Sequence, residues 1–424
     1  AALAGMALGL SGCWLQPDFD AGNSNWNGGE SELTTATVGE LTQLWSSTAI
    51  ADTGSSVIDP VATGGGVYVT AGDGPEGTTP LAVAALETAT GDLRWRTDLP
   101  GSGDQYASGI ALDEGAVVVP FYTTGTGLYG PWPVGGGRHD LVASTGAITS
   151  SSTTASQLDI ALWGGAVITH RSAFPEVPIE PVPQLPGATM IHGGPFQPII
   201  QEDLSVFGPP RGIGPFAVVA DRIAWSDGLD AQGFSAACPP RNTTHGSGCG
   251  PDWSTDLGGY PDAVAAVGVD GVAYTHADDG VVRMTVLDVV TGAVRWRAEL
   301  GPGRYSAHAP LVVTDTTILV GVDRQVVALP VDGCGATECA ALWRTPEHEN
   351  PDIVHVTAAA DVAYVAASDG TIEAFPLAGC GAATCQPLAT VDAGSEISGG
   401  PIVHDGRVFV GTVDGRVVAF GLPD

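Results

Sequence analysis

The chain has 424 residues, of which 44% are hydrophobic and 15% are charged, with 60 glycines and 31 prolines. This apolar content excludes a disordered chain, and the glycines and prolines are typical of many short strands joined by turns. With 47 acidic and 15 basic residues, the formal net charge is −32, which argues against nucleic acid and anionic lipid headgroups as partners. We interpret the charge as a solubilising acidic coat; a surface that collects divalent cations is the alternative.

The first residues have the character of an export signal. Small and apolar residues fill 1–10, and Leu10-Ser11-Gly12-Cys13 follows. So short an apolar run cannot span a bilayer. The pattern resembles the lipobox of a bacterial lipoprotein signal peptide, so we expect 1–12 to be a signal-peptide remnant, Cys13 to carry lipid, and 13–32 to be a lipid-anchored linker and entry segment. A buried N-terminal strand with a free cysteine is the alternative.

A segment that ends in tryptophan recurs along the chain. It reads Leu-Glu-Thr-Ala-Thr-Gly-Asp-Leu-Arg-Trp-Arg at 86–96 and Leu-Asp-Val-Val-Thr-Gly-Ala-Val-Arg-Trp-Arg at 287–297, and weaker copies end at Trp45, Trp253 and Trp343. A recurring unit of this size indicates stacked supersecondary units, and strand signals between Gly/Asp turns give each unit four strands. The sequence therefore predicts an all-β fold, a single β-propeller over 33–424 with about eight four-stranded blades. Seven blades are the alternative, because residues 171–212 are irregular.

The last predicted unit has too few strands. Residues 397–420 supply three, and Leu41-Thr42-Gln43-Leu44-Trp45 near the other terminus can supply the fourth. A strand shared in this way closes the ring and leaves no open sheet edge. We expect an N-terminal strand to complete the last blade.

Two long insertions fall between the second and third strands of consecutive units, at 123–139 and at about 171–188. Equivalent loops of adjacent blades emerge on one face, so we expect the two to be neighbours beside the central channel. Exposed aromatic residues on loops are typical of recognition surfaces, although Trp132 and Phe174 could instead plug the channel mouth. The residues predicted to contact a partner are Tyr129, Trp132, Arg138, His139 and Phe174.

Apart from Cys13, the cysteines form three close pairs. Because close pairs in an exported chain favour local disulfides, we expect three bridges and an oxidising compartment. Zinc is the alternative, but no two-residue Cys-x-x-Cys spacing or nearby histidine pair favours it. The predicted bridges are Cys238–Cys249, Cys334–Cys339 and Cys380–Cys385.

Two further groups of polar residues could carry chemistry. The loop 347–352 places carboxylates and an amide close together, so it is a candidate for Ca²⁺, with an ordinary solvated loop as the alternative. Residues near the starts of predicted innermost strands could line the channel, and catalysis would need them to meet within hydrogen-bond reach. These residues are Asp59, Ser108, Asp159, His308, His355 and His404.

The spacing Asp288-x-x-Thr291-Gly292-x-x-x-Trp296 resembles the repeat of the pyrroloquinoline-quinone (PQQ) propellers, and residues 19–45 resemble the entry segment of that superfamily. The superfamily includes quinoprotein dehydrogenases and non-catalytic lipoproteins such as the propeller subunit of the outer-membrane barrel assembly machine. The dehydrogenases carry a disulfide between adjacent cysteines, a calcium site and a catalytic aspartate. This chain has no adjacent cysteine pair, and none of its residues can be matched to the calcium ligands, so the resemblance is to the non-catalytic members.

We therefore expect an exported, lipid-anchored scaffold at the bacterial cell envelope, which binds a protein or a small ligand, is monomeric and needs no cofactor. The alternative is a PQQ- or metal-dependent dehydrogenase, with Ca²⁺, that acts on a small alcohol or sugar in the central channel. A structural envelope protein whose acidic coat binds cations is a third hypothesis.

Overall fold

The structure is a computed structural model that describes residues 14–16, 19–20, 24–48, 50, 56–72, 81–101, 105–107, 109–113, 115–127, 130–154, 156–163, 166–172, 213–227, 230–235, 251–303, 311–348 and 353–423. Cys13, Tyr129, Phe174, Cys238 and Cys249 lie outside these ranges. The lipid on Cys13, the partner contacts of Tyr129 and Phe174, and the Cys238–Cys249 disulfide therefore stay predictions.

Within the described ranges the chain forms 32 strands and one short 3₁₀ helix, Val38–Glu40. The strands of the first half are β1 (Trp26–Asn27), β2 (Thr42–Ser47), β3 (Ser56–Thr63), β4 (Gly66–Gly72), β5 (Ala82–Glu87), β6 (Leu93–Asp98), β7 (Gln105–Ala107), β8 (Ala111–Asp113), β9 (Ala116–Gly127), β10 (Gly130–Val142), β11 (Ile148–Thr154), β12 (Ser156–Trp163), β13 (Ala166–Ser172), β14 (Ile213–Val219), β15 (Arg222–Asp227) and β16 (Asp230–Ser235). Those of the second half are β17 (Trp253–Asp256), β18 (Tyr260–Val267), β19 (Gly271–Asp278), β20 (Val281–Asp288), β21 (Val294–Pro302), β22 (Leu311–Val313), β23 (Thr317–Val322), β24 (Gln325–Pro330), β25 (Trp343–Arg344), β26 (Ile353–Ala359), β27 (Val362–Ala367), β28 (Thr371–Pro376), β29 (Ala389–Asp392), β30 (Ile397–His404), β31 (Arg407–Thr412) and β32 (Val417–Gly421).

These strands form eight sheets among the described residues, and strands that follow one another along the chain pair antiparallel. Four sheets are simple four-stranded meanders: β3–β6, β14–β17, β18–β21 and β22–β25. The second strand of most sheets, such as β19, β23 or β27, is almost wholly buried, because neighbouring sheets cover both of its faces. The fold is an all-β propeller, as the repeat predicts. The number of blades stays a prediction, since β12 and β13 are the only described strands of their sheet.

The ring is closed by the N-terminal strand, which confirms the prediction. Strand β2 pairs antiparallel with β32, with Trp45 opposite Ala419, and the sheet has the order β2-β32-β31-β30. The closed sheet also contacts the next one, since Ser398 Oγ on β30 donates to the carbonyl oxygen of Val57 on β3 at 2.7 Å. First and last sheets are thus adjacent, and closure hides the edge of β32.

Tryptophans join neighbouring sheets. In four of them the Nε1–H group donates to a carbonyl oxygen in the turn between the third and fourth strands of the next sheet, and the ring lies against a glycine of that turn. Because Gly91 and Gly292 have φ angles of +72° and +70° and no space for a Cβ atom, only glycine suits these positions. The hydrogen bonds join Trp45 to Thr88 (3.0 Å), Trp95 to Ala143 (2.8 Å), Trp253 to Val289 (2.8 Å) and Trp343 to Leu377 (3.2 Å).

Two of the predicted disulfides are present, Cys334–Cys339 and Cys380–Cys385. Each closes the loop between the third and fourth strands of its sheet, and each loop pairs with the outermost strand of the preceding sheet. Arg297 N donates to Thr337 O at 2.7 Å, and Cys339 N donates to Arg297 O at 2.8 Å. The second loop repeats this parallel bridge at Arg344. The bridges therefore stabilise contacts between sheets as well as the loops themselves.

The described part of 14–32 packs against the propeller. Trp14 is 2% exposed and forms an antiparallel bridge with Ala62, and β1 pairs in parallel with β26. The segment thereby contacts the first strands of five sheets, near the ends that lead into the turn before the second strand. Its hydrogen bonds to these strands include Trp14 N to Ala62 O (2.8 Å), Leu112 N to Leu15 O (2.7 Å), Val313 N to Ser24 O (2.8 Å), Ala358 N to Asn25 O (2.9 Å) and Asn27 Nδ2 to Val403 O (2.9 Å).

Candidate functional site

The first predicted insertion, 123–139, is a strand pair and not an irregular loop. Strands β9 and β10 pair along their whole length, from Ala116 opposite Val142 to Gly127 opposite Gly130. Glycine and proline favour turns, but here the backbone groups find partners across the hairpin. The sequence therefore predicts the correct site of the insertion and the wrong local structure.

The tip of this hairpin extends past its neighbours. Strand β7 pairs with β9 as far as Thr123, and β11 pairs with β10 as far as Gly136. Beyond those positions, residues 124–127 and 130–135 pair only with each other within the described ranges. Within the described part of the chain, both outer backbone edges of this two-stranded tip therefore lack a paired strand.

Arg138 and His139 lie in the paired part of β10, where both are buried, and not on an exposed loop as expected. Arg138 Nε donates to Asp140 Oδ1 at 2.6 Å, and Ser150 Oγ donates to Asp140 Oδ2 at 2.5 Å. A buried ion pair of this kind is costly to break from one side, because the remaining charge is left unpaired. The ion pair lies within β10, and the hydrogen bond from Ser150 on β11 to Asp140 joins the two strands below the tip.

His139 is part of the packed base of the hairpin. Its ring stacks on Phe121 with centroids 4.7 Å apart, and its Nδ1 lies 2.9 Å from Ser151 Oγ. Burial lowers the pKa of His139, and the charge of Asp140 opposes this only in part. The imidazole is therefore neutral at neutral pH. Contact of Arg138 or His139 with a partner stays a prediction.

An aromatic pair that the sequence reasoning missed lies beside the tip. Tyr106 on β7 and Tyr122 on β9 are cross-strand partners, with ring centroids 5.1 Å apart and planes at 8°. Burial is the main cause that raises the pKa of Tyr122, and its electrostatic interaction with Tyr106 raises that pKa further. Both rings are half-buried, so one side of the stack borders the base of the tip. Only the register of β7 and β9 brings these rings together, and no motif marks it.

Three more residues are predicted to contact a partner: Tyr129, Trp132 and Phe174. The backbone of Trp132 lies in β10 opposite Gly125, but its side chain lies outside the described part of the structure. Tyr129 and Phe174 lie wholly outside it. Of the second insertion, 171–188, the structure describes only the last residues of β13. The predicted proximity of the two insertions therefore stays a prediction.

The calcium candidate at 347–352 is engaged with protein groups where it is described. Glu347 forms an ion pair with Arg324, and His348 Nε2 lies 3.4 Å from Glu373 Oε2. Burial raises the pKa of Glu373, and the charge of His348 opposes that shift. Within the described ranges, no group of three His, Cys, Asp or Glu side chains is arranged to hold a metal ion.

The channel candidates do not form a described cluster. His404 is buried and His355 is half-buried, and each has contacts of its own. Ser108, His308 and the side chains of Asp59 and Asp159 lie outside the described part. Contact between these groups stays a prediction.

None of the helices among the described residues has the length and hydrophobicity that a membrane span requires.

Residues 225–423 match a family model described as outer membrane protein assembly factor BamB, of the PQQ-like repeat type. The matched part includes Trp253, Trp296 and Trp343, and therefore the motif from Asp288 to Trp296. These residues are therefore similar to PQQ-like propeller repeats. The matched part includes both described disulfides and their bridges to the preceding sheets.

Among solved structures, the chain is similar to the computationally designed Ika8 protein, with 14% identity, a TM-score of 0.55, and coverage of 89% of this chain and 99% of that one. It is also similar to quinohemoprotein alcohol dehydrogenase from Comamonas testosteroni (14% identity, TM-score 0.48, 98% of this chain and 81% of that one) and to BamB from Moraxella catarrhalis (14% identity, TM-score 0.39, 90% and 97%). The first likeness concerns the fold alone, and TM-scores as low as the other two carry no argument. No curated protein matches the chain.

Proposed function

We propose that this protein is an exported propeller, anchored by lipid on Cys13, that binds a protein partner at the cell envelope through the β9–β10 hairpin. The observation that carries the proposal is the tip formed by 124–127 and 130–135, which pairs with no third strand among the described residues. An extended segment of another protein can add to such an edge by main-chain hydrogen bonds, while nearby side chains provide specificity. The stacked Tyr106 and Tyr122 lie where that specificity is needed.

The family description supports a partner that is a protein, because an assembly factor acts on other proteins. Two disulfides support an oxidising compartment outside the cytoplasm. The family description thus bears on the kind of partner and the disulfides on its location, and the β9–β10 hairpin is the surface that we propose for the contact.

The two ends of the ring have different roles in this proposal. Trp14 contacts Ala62 near the turn between the first and second strands of its sheet. The tip of β9–β10 lies at the opposite end of the second strand. Because Cys13 directly precedes Trp14, a lipid on Cys13 would project from the face of the propeller that is opposite to the hairpin. The tip would then point away from the membrane.

The test is cross-linking in cells followed by mass spectrometry of captured partners. In the first variant, residues 124–135 are replaced by Asn-Gly, a two-residue hairpin turn. We expect partner capture to be lost and the melting temperature to be unchanged, because the deleted pairs lie beyond the registers of β7 and β11.

A matched variant, Trp132→Thr, keeps the ribbon and removes the largest side chain of the tip. If strand addition provides the binding, this variant still captures the partner, more weakly than the unaltered protein. Equal capture by the shortened hairpin and the unaltered protein would contradict the proposal. Capture lost equally in both variants would show that the side chain, and not the strand edge, is the contact.

A further inference from the structure

A cleft of about 550 Å³ opens between the sheet β18–β21 and the sheet β22–β25. Its volume lies in the range of roughly 300–1,000 Å³ that ligand pockets have. Its walls are the turn 268–270, the turn 314–315 and the loop 333–337, and Trp296 forms the base. These turns lie at the face opposite to the β9–β10 tip, so the cleft is a surface distinct from the proposed hairpin site.

Trp296 differs from the other motif tryptophans. Like the others it is buried, at 3% exposed, but four equivalent rings donate their Nε1–H to a carbonyl oxygen of the next sheet. Among the described residues, Trp296 Nε1 has no such acceptor. In the next sheet, the acceptor for Trp343 is the carbonyl oxygen of Leu377, which follows a proline. The equivalent residue for Trp296 is Val331, which also follows a proline and lines the cleft. An indole N–H that opens into a cleft and has no protein acceptor favours a ligand that supplies one.

The charge at the mouth is negative. Arg295 donates to Asp270 Oδ1 and to Asp288 Oδ2, both at 2.9 Å, so its charge is already balanced. Asp315 and Asp332 are exposed on the lining and form no ion pair within the described part of the chain. Two unpaired carboxylates beside an indole N–H that has no protein acceptor favour a ligand that is cationic and also carries a carbonyl group.

An apolar residue borders the same mouth. Val269, between the lining residues Gly268 and Asp270, is 80% exposed. An exposed valine beside two carboxylates suits a partner with both apolar and basic side chains. We propose that the cleft binds a basic segment of a partner protein. A main-chain carbonyl of the segment accepts from Trp296 Nε1, and a lysine or arginine side chain pairs with Asp315 and Asp332.

The next sheet junction is a natural control. There Trp343 donates to Leu377 O, Leu342 stands where Arg295 stands, and Ala378 stands where Asp332 stands. The disulfide loop has the same length at both junctions. Binding that depends on the cleft therefore distinguishes two junctions with the same backbone architecture.

The test titrates the ¹⁵N-labelled, oxidised protein with acetyl-glycyl-arginyl-glycinamide and follows the indole N–H resonances. Trp296→Phe assigns the Trp296 signal. We expect that signal to shift on titration while the Trp343 signal stays in place. The same peptide with citrulline in place of arginine should bind at least 10-fold more weakly, because it lacks the charge.

The variant Asp315→Asn/Asp332→Ala should bind the arginine peptide at least 10-fold more weakly, and Trp296→Phe about 5-fold more weakly for the loss of one hydrogen bond. The first variant changes exposed side chains, so the protein folds and the comparison is direct. An unmoved Trp296 signal at saturating peptide, equal binding of the citrulline peptide, or unaltered binding by the double variant would each overturn the proposal.

Discussion

Replacement of Trp45 by alanine tests whether the β2–β32 pairing holds the ring closed. Trp45 is 9% exposed, packs 5.8 Å from Phe409 between ring centroids, and donates to Thr88 O at 3.0 Å. Its ring thus contacts its own sheet, formed with the last strands of the chain, and the turn of the next sheet. No covalent link joins β2 to β32, so these contacts carry the closure.

The expected cost follows from burial. A tryptophan side chain removes about 200 Å² from water, which at ~25 cal/mol/Å² amounts to about 5 kcal/mol as an upper estimate. Substitutions of buried tryptophan by alanine cost about 3–5 kcal/mol, so we expect Trp45→Ala to lower the free energy of unfolding by roughly 4 kcal/mol. Trp45→Phe keeps a ring and loses the hydrogen bond to Thr88, so it should cost only about 1–2 kcal/mol.

The assay is equilibrium unfolding in urea followed by far-ultraviolet circular dichroism. Trp253→Ala is the matched control, because this ring makes the same bond, to Val289 O at 2.8 Å, at a junction where the chain is continuous. We expect a similar loss of free energy in the control, and an additional tendency to self-associate only in Trp45→Ala, since a loosened β2 exposes the edge of β32. A loss below about 1 kcal/mol for Trp45→Ala would refute the reasoning.

Three further outcomes can be measured by thermal or urea unfolding. Gly292→Ala should cost roughly 3 kcal/mol, because its φ is +70° and a Cβ would overlap a tryptophan ring, whereas Gly258→Ala, at φ +76° in open space, should cost only about 1–2 kcal/mol; equal losses would contradict the packing argument. Burial first, and then the charges of neighbouring arginines, lower the pKa of His276 from 6.5 to about 4. The stability that depends on neutral His276 should therefore be fully present above pH 6.5 and be lost, by roughly 3 kcal/mol, as the pH falls from 6.5 through 4. His276→Gln should flatten the pH dependence of the free energy of unfolding in this range, and an unaltered slope would exclude His276 as its source. Replacing Cys380 and Cys385 by serine opens a loop with a sequence separation of 5, which should cost about 2 kcal/mol, and an unchanged melting temperature would show that the loop is held by its bridge to the preceding sheet.

The propeller fold could be predicted from the sequence because its signals are local. The recurring units have a tryptophan and a glycine-containing turn, and the contact between Trp253 and Gly292 shows why glycine is needed where the ring meets the turn. The missing strand at the C-terminal end likewise has a single complement near Trp45. Two close cysteine pairs could be assigned because each loop is closed within one turn.

The site could be predicted in position and not in structure. The composition of 123–139 indicates a loop, but pairing of β9 with β10 makes it a ribbon and buries Arg138 and His139. Cross-strand register decides which residues are buried, and register depends on partners that composition does not specify. The stack of Tyr106 on Tyr122 has the same origin.

The repeat, the closure of the ring and two of its disulfides follow from the sequence alone, because each depends on residues within one unit or on one missing strand. How the units meet depends on three-dimensional packing. Packing brings Trp14 against Ala62, extends the β9–β10 tip past the other described strands of its sheet, and leaves Trp296 Nε1 without an acceptor among the described residues, where equivalent rings have one. These features arise from contacts between units that are nearly alike in sequence pattern, where small differences in side chains at a junction determine what is filled and what stays open.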